Sequence, residues 1–156
     1  MRLASKHLIQ TVYQELSAKR IKRFTLTSLS KSSGVSRGTI YYYFDCIDDV
    51  YKEVFNQIIL QEVLQNSQSF EDLISEFISF ISENKTFCLN LYYLTRDLNR
   101  KNYLIKIFNE QLSEYKNEIT LPNHFIVGGF IHVLTMWFES NLELETRLVI
   151  EQLQTY

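Results

Sequence analysis

The sequence contains very little glycine and proline. Its 156 residues include four glycines and a single proline, Pro122. All-β folds need many tight turns, and tight turns draw heavily on these two residue types. The scarcity of both therefore favours an all-α fold.

Long apolar runs and paired cysteines are also scarce. The longest strongly apolar stretch, residues 125–138, is shorter than the roughly 20 residues that span a bilayer. The first residues are amphipathic, unlike a secretory signal. Cys46 and Cys88 lack a Cys-x-x-Cys spacing, which favours two reduced thiols over a redox pair. We therefore expect a cytoplasmic protein without a membrane partner.

The patterns typical of an enzyme are missing as well. The three histidines, His7, His124 and His132, have no carboxylate pattern near them. Neither cysteine has an activating context, and there is no glycine loop for a phosphate. We predict no enzymatic activity, no catalytic residue, no cofactor and no metal site.

Charge is divided unevenly along the chain. Residues 1–44 hold eight basic residues and one acidic residue, a balance of +7, whereas residues 45–156 hold eight basic and seventeen acidic residues, a balance of −9. A basic segment attracts polyanions and an acidic segment repels them. The split predicts a basic N-terminal module for a polyanion, with a functional boundary near residue 45.

Apolar residues recur at helical spacing along most of the chain. Thr25 and Ser36 are suited to cap helices, and Pro122 suits a first helical turn. The fourth helix is expected to bury Val50, Val54, Ile58 and Val63. The pattern predicts about nine helices, and the fourth starts at Asp45 or Asp48 and includes Val63. The other eight are expected near residues 5–19, 25–33, 36–44, 70–83, 85–97, 101–119, 122–141 and 143–154.

The third predicted helix has an unusual second face. At 100° per residue, Ile40 and Phe44 lie together and can pack on the first two helices, while Gly38 and Tyr42 point away. Glycine within a helix costs roughly 1 kcal/mol relative to alanine, and close approach to a DNA groove would offset that cost. Two short helices joined by a glycine turn predict a helix-turn-helix. An alternative for Tyr42 and Tyr43 is packing against the rest of the chain.

Residues 25–44, with the sequence TLTSLSKSSGVSRGTIYYYF, closely resemble the DNA-binding segment of TetR/AcrR-family transcriptional regulators. The shared features are a capping threonine, a short helix, Gly-Val-Ser, and a recognition helix that closes with aromatic residues. One feature differs. The family often places a lysine at the start of the fourth helix, where it meets phosphate, and Ile47 stands there instead. The resemblance then leaves that contact to Lys22, Arg23 or Lys31.

The resemblance implies an all-α protein with a helix-turn-helix DNA-binding domain, residues 1–45, and a helical regulatory and dimerisation domain, residues 46–156. It implies a ligand-released homodimeric repressor of a palindromic double-stranded DNA operator, with activation left open. The regulatory and dimerisation domain is short for the family, so the alternative is a TetR-like regulator controlled by a protein partner. The positions that the resemblance and the helix pattern assign to DNA binding are Lys22, Thr25, Thr27, Ser36, Arg37, Gly38, Thr39, Tyr41, Tyr42 and Tyr43.

The helix that begins near Pro122 is apolar on almost every side and must be covered on more than one. One face is expected in the core of its own domain, through Ile126, Phe130, Val133 and Trp137. A second stripe has small residues at its middle, which permit close helix crossing, and predicts a dimer interface. The stripe consists of Phe125, Gly128, Gly129, His132 and Met136. Burial of the whole helix within one subunit is the alternative.

The resemblance also implies a pocket for a small-molecule inducer. Aromatic walls with a few polar tips suit such sites. The candidate lining residues are Tyr92, Tyr93, His132 and Trp137, and the alternative for each is an ordinary core position.

Overall fold

The computed structural model describes residues 3–98, 100–116, 121–145, 148–149 and 151. All regular secondary structure in these residues is helical, as the composition predicts, and it forms eight helices. Half of the positions of the ninth predicted helix, near 143–154, lie outside the described residues. The eight are α1 Leu3–Ala18, α2 Leu26–Ser33, α3 Arg37–Tyr43, α4, α5 Phe70–Glu83, α6 Lys85–Leu94, α7 Arg100–Lys116 and α8 Leu121–Glu139, with α4 consisting of Ile47–Val54, a π-helical segment Phe55–Leu60, and Gln61–Gln65.

The π-helical segment changes the buried face of α4. The Gln61 N–H donates to the carbonyl of Asn56, five residues back, so this turn holds one residue more than an α-turn. The buried position after Val54 is consequently Ile59, which is 4% exposed, and not the predicted Ile58, which is half-buried. The prediction for Ile58 was wrong because it assumed a regular α-helical period.

The chain divides into two compact units. The first comprises Met1–Glu62 and Asn84–Leu98, and therefore contains α1 to α3, most of α4, and α6. The second comprises Val63–Glu83 and Asn99–Tyr156, with α5, α7 and α8. The predicted boundary near residue 45 was drawn from charge and resemblance rather than compactness, and it stays a prediction.

Helix α1 is central to the first unit, where it contacts α2, α4 and α6. Its apolar positions Leu8, Ile9, Val12 and Leu16 are fully buried, as their spacing predicts. The Tyr13 ring meets Phe87 of α6 edge to face at 4.8 Å. The other fully buried residues of α2 to α4 are Leu29, Ile40, Val50 and Val54.

Aromatic rings form the core of the second unit. Phe108 of α7 meets Phe77 of α5 at 5.2 Å and Phe130 of α8 at 4.8 Å, both edge to face. Trp137 is fully buried, and its Nε1 donates to the carbonyl of Leu144 at 3.0 Å. None of the helices in the described part of the chain is long and apolar enough to cross a membrane.

Candidate nucleic-acid interface

Helix α2 begins with a capping box. The Ser28 N–H donates to Thr25 Oγ1 at 3.1 Å, and the Thr25 N–H donates to Ser28 Oγ at 3.2 Å. Two N–H groups at the start of the helix are thereby satisfied. The predicted cap at Thr25 is confirmed, and it fixes where α2 starts.

The turn between α2 and α3 is closed by glycine and two serines. Gly34 has φ +74°, a left-handed conformation that suits glycine, and its N–H donates to the carbonyl of Ser30 at 3.0 Å. The Ser30 hydroxyl donates to the carbonyl of Val35 at 2.6 Å. Ser33 Oγ accepts from the Val35 N–H at 3.1 Å. These bonds set the angle at which the chain enters α3.

Helix α3 has one buried and one exposed side, as the helical wheel predicts. Ile40 is fully buried and Phe44 is 6% exposed. Tyr42 is 68% exposed and Tyr41 is 49% exposed. The Tyr43 ring is half-buried and meets the Tyr42 ring edge to face at 5.0 Å. The tyrosines therefore present a polar aromatic surface rather than filling the core.

The start of α3 is held by Ser36. The Thr39 N–H donates to Ser36 Oγ at 3.2 Å, and the Ser36 hydroxyl donates to Thr39 Oγ1 at 2.9 Å. Arg37 and Gly38 follow the cap and are exposed. A Cβ at Gly38 would meet no atom within 4 Å, so packing within the chain does not require glycine there.

Most of the residues predicted to meet DNA are exposed to solvent. Thr25 and Tyr43 are half-buried, and the rest are exposed. Their contacts with DNA remain predictions. The exposed members are Lys22, Thr27, Ser36, Arg37, Gly38, Thr39, Tyr41 and Tyr42.

One exposed basic residue of the connector between α1 and α2 has partners within the first unit. Arg20 Nη1 donates to Oδ1 of Asn90 at 3.1 Å, and its guanidinium lies 5.3 Å from the centre of the Tyr93 ring. Sequence reasoning missed this bond, because its partner is 70 residues away. Lys22 and Arg23 in the same connector are exposed.

An acidic groove borders the C-terminal end of α3. It measures about 660 Å³ and is open to solvent. Asp49 and Glu53, four residues apart, supply carboxylates on one side of α4, and Asp45 supplies a third just before the helix begins. Carboxylates repel phosphate, and this groove therefore marks an edge of the basic surface. The other lining residues are Ser5, Tyr42, Tyr43, Phe44 and Lys52.

The four pocket candidates lie in different units. Tyr92 and Tyr93 belong to the first unit, where their rings meet edge to face at 5.2 Å. His132 and Trp137 belong to the second, where His132 is exposed and Trp137 is fully buried. The inducer pocket stays a prediction.

Helix α8 has one buried and one exposed face, but the buried face is only partly the predicted one. Phe130 is 1% exposed and Trp137 is fully buried, whereas the predicted Ile126 and Val133 are half-buried. Val127, Ile131 and Leu134 are the other buried residues of this face. On the other side Phe125 is 73% exposed and Met136 is 54% exposed, with Gly128, Gly129 and His132 exposed between them. Burial of the whole helix within one chain is therefore not observed. Pairing of the exposed stripe with a second copy stays a prediction.

Comparison with known proteins identifies the family. Residues 68–156, more than half of the chain, match the TetR family model described as "Transcriptional regulator C-terminal region". No curated protein matches the chain.

Two solved structures share the fold. One is the dihydroxyacetone kinase operon activator DhaS, with TM-score 0.65, 13% identity, and coverage of 98% of this chain and 95% of that one. The other is the fatty acid degradation regulator FadR from Bacillus halodurans, with TM-score 0.57, 14% identity, and coverage of 99% and 94%. The family match, together with this helical fold, leads to one conclusion: the chain belongs to the TetR family of transcriptional regulators.

Proposed function

We propose that this regulator binds a palindromic DNA operator as a homodimer, with α3 in the major groove. The observation that carries the proposal is the exposed face of α3, where Arg37, Gly38 and two tyrosines stand opposite the buried Ile40. A short helix with one side in the core and a polar side in solvent is the arrangement by which a helix-turn-helix reads base edges.

Each group on this face has a suitable partner on DNA. Arg37 can donate two hydrogen bonds to O6 and N7 of a guanine. The hydroxyls of Thr39 and Tyr41 can donate to phosphate oxygens, which fix the position of the protein on the duplex. Gly38 lets the backbone come close to the groove floor because no side chain intervenes. The acidic groove beside Tyr43 limits the footprint at the C-terminal end of α3.

A second copy is proposed to cover the exposed stripe of α8. Apolar side chains on that stripe would leave water, and Gly128 and Gly129 would allow the two helices to approach closely. A two-fold dimer presents two copies of α3, which suits half-sites about one helical turn apart. The symmetry of the operator would then follow the symmetry of the protein.

Regulation is proposed to act through the second unit as release from DNA by a small ligand. A ligand can do this only if it binds more tightly to a conformation of low DNA affinity. The similar structure DhaS is described as an activator, so activation is the competing outcome. Control by a protein partner is the alternative, because the regulatory and dimerisation domain, residues 46–156, is short for the family.

Selection of bound duplexes from a random pool tests the proposal. We expect an enriched palindrome and an affinity that falls steeply with salt, because phosphate contacts release counterions. Arg37→Ala should weaken binding to the selected site by roughly 5- to 150-fold, the range of one bidentate base contact. Lys106→Ala, an exposed basic residue on α7, is the control and should bind as the wild type does. If no duplex were enriched, the proposal of sequence-specific DNA binding would be refuted.

A further inference from the structure

Asn90 of α6 is a fully buried amide whose hydrogen-bonding groups are all occupied. Its Nδ2 donates to the carbonyls of Leu16 and Lys19, each at 2.8 Å. Its Oδ1 accepts from the Ile21 N–H at 2.9 Å and from Arg20 Nη1 at 3.1 Å. An amide offers two donors and two acceptor lone pairs, so this side chain is satisfied in full.

The four partners lie at or just after the end of one helix. The last carbonyls of a helix lack partners within it, and α1 ends at Ala18. Asn90 supplies two of the missing donors from about 70 positions away and holds the Ile21 N–H of the connector that leads to α2. It thus fixes both the end of α1 and the direction in which the chain leaves it.

Further contacts join the same two helices on either side of Asn90. Tyr13 Oη donates to Oδ1 of Asn84 at 2.8 Å, and the Tyr13 ring meets Phe87 at 4.8 Å. The Arg20 guanidinium lies over the Tyr93 ring at 5.3 Å. Apolar contacts alone would let one helix slide along the other. The directional bonds of Asn90 select a single register.

Helix α6 has a special place in the path of the chain. Residues Asn84–Leu98 belong to the first unit, yet the residues before and after them belong to the second. The second unit is therefore joined covalently to both ends of this segment. Helix α1 in turn contacts α2, and α2 contacts α3. The chain therefore passes between the two units three times, once within α4 at Glu62–Val63 and once at each end of α6. Helix α4 follows α3 directly, and the bonds of α6 to α1 provide a second connection from the second unit to the helix-turn-helix.

We propose that Asn90 is a positioning residue for DNA binding, which locks α1, and with it the α2–α3 pair, to α6 in one register. This rests on the function proposed above. Without the lock, each copy of α3 could still enter a groove, but the distance between the two copies would be less strictly set. The predicted consequence is a loss of discrimination between operators of different half-site spacing.

The test compares affinities of the full-length chain for the selected duplex and for duplexes with one base pair added or removed between the half-sites. One base pair rotates a half-site by about 35°, so a rigid dimer should prefer the selected spacing by at least about tenfold. In Asn90→Leu this ratio should fall to within about threefold. The matched control is Asn102→Leu, the same substitution at an exposed position of α7, which should keep the wild-type ratio.

The ratio separates positioning from stability. A variant that is only less stable has a smaller folded fraction, which weakens every duplex equally and leaves the ratio unchanged. Arg20 is exposed, and Arg20→Ala removes one of the four hydrogen bonds of Asn90. It should therefore lower the ratio too, by a smaller factor. It provides the measurement if Asn90→Leu does not fold.

An unchanged ratio in the variants that fold overturns this inference and leaves the proposed function standing. A wild type that binds all three spacings equally also overturns it. A wild type that binds no duplex from the pool refutes the proposed function itself.

Discussion

Two glycines four residues apart have different roles in the helix-turn-helix. Gly34 has φ +74°, which costs an L-residue about 1–2 kcal/mol, although a Cβ there would meet no atom within 4 Å. Gly38 lies within α3 and has equally open surroundings. The first glycine is therefore needed for the fold, whereas the second is available for contact with a partner.

Alanine at these two positions should change stability in opposite directions. Gly34→Ala should lower the free energy of unfolding by about 1 kcal/mol through backbone strain. Gly38→Ala should raise it by up to about 1 kcal/mol, because alanine has the higher helix propensity. Urea denaturation followed by circular dichroism measures both. If Gly38→Ala were as destabilising as Gly34→Ala, the interpretation of Gly38 would be wrong. On the proposed function, Gly38→Ala should also weaken DNA binding.

Tyr51 connects α4 to the chain before α2. Its Oη donates to the carbonyl of Phe24 at 3.2 Å, and the residue is 3% exposed. Burial, with a smaller contribution from the charge of Asp48, raises the pKa of the Tyr51 phenol above its ordinary value of 10.0. The folded protein therefore favours the protonated phenol.

This shift predicts a loss of stability in alkali. Below about pH 10, Tyr51→Phe should be less stable than the wild type by about 1 kcal/mol, because one hydrogen bond is lost. The phenol ionises in the unfolded chain at a lower pH than in the folded one. Its stabilising contribution is thus fully present below about pH 10 and is lost as pH rises further. Urea midpoints from pH 8 to about 11.5 should show the difference between wild type and variant shrinking. A constant difference would contradict the shifted pKa.

Among the elements, α4 departs most from regular geometry. Its π-helical segment makes Ile59 the next buried residue after Val54, an interval of five, and Val63 follows after four. Removing one residue from the segment would restore intervals of four throughout. A regular α-helix with the same buried face is then available to the chain.

Deletion of Gln57 should accordingly be tolerated. We expect the melting temperature to fall by only a few degrees, because Val54, Ile59 and Val63 stay on one side of the helix. The control is deletion of Glu53, in the α-helical part, which shortens the interval between Val50 and Val54 and should destabilise much more. Thermal unfolding followed by circular dichroism measures both. Equal losses in the two variants would contradict a single extra residue in the π-helical segment.

The elements of the helix-turn-helix could be predicted because their determinants are local. Thr25 and Ser36 cap the residues three positions ahead, and Ile40 and Phe44 are brought together by helical spacing alone. The π-helical turn in α4 has no comparable local marker. The apolar residues around it have spacings that a regular α-helix also allows. Ile58 was therefore predicted on the buried side, where Ile59 lies instead.

At the scale of the whole molecule, the polar contacts between residues far apart in the chain were not predicted from the sequence. Asn90 lies in the apolar segment LNLYYL, where nothing marks it as the partner of a helix end about 70 positions earlier. Contacts of this kind join α6 to α1 within one compact unit. The exposed face of α8 was predictable from its own periodicity, whereas the buried face was only partly predicted, because Ile126 and Val133 are half-buried. Coverage of the exposed face by a second copy stays a prediction, because the periodicity of one helix does not specify its partner.

The exposed stripe of α8 predicts how the oligomeric state responds to mutation. Phe125→Glu combined with Met136→Glu should weaken self-association by roughly 30-fold or more, the factor for about 2 kcal/mol at an interface. Sedimentation equilibrium over a range of protein concentrations measures this. Leu3→Glu, at a leucine that is 86% exposed in the first unit, is the control and should leave the association constant unchanged. A wild type that stays monomeric at all concentrations would refute the dimer.

Trp137 gives the molecule a built-in optical probe. It is the sole tryptophan of the sequence, and it is fully buried in the core of the second unit, where its indole N–H is already bonded. Fluorescence excited at the red edge of the protein band therefore reports on that unit alone. A ligand that rearranges the second unit would change the emission directly. DNA bound at α3 would change the Trp137 emission only if DNA binding in the first unit altered the conformation of the second. A fluorescence titration with DNA therefore measures whether the two units are coupled.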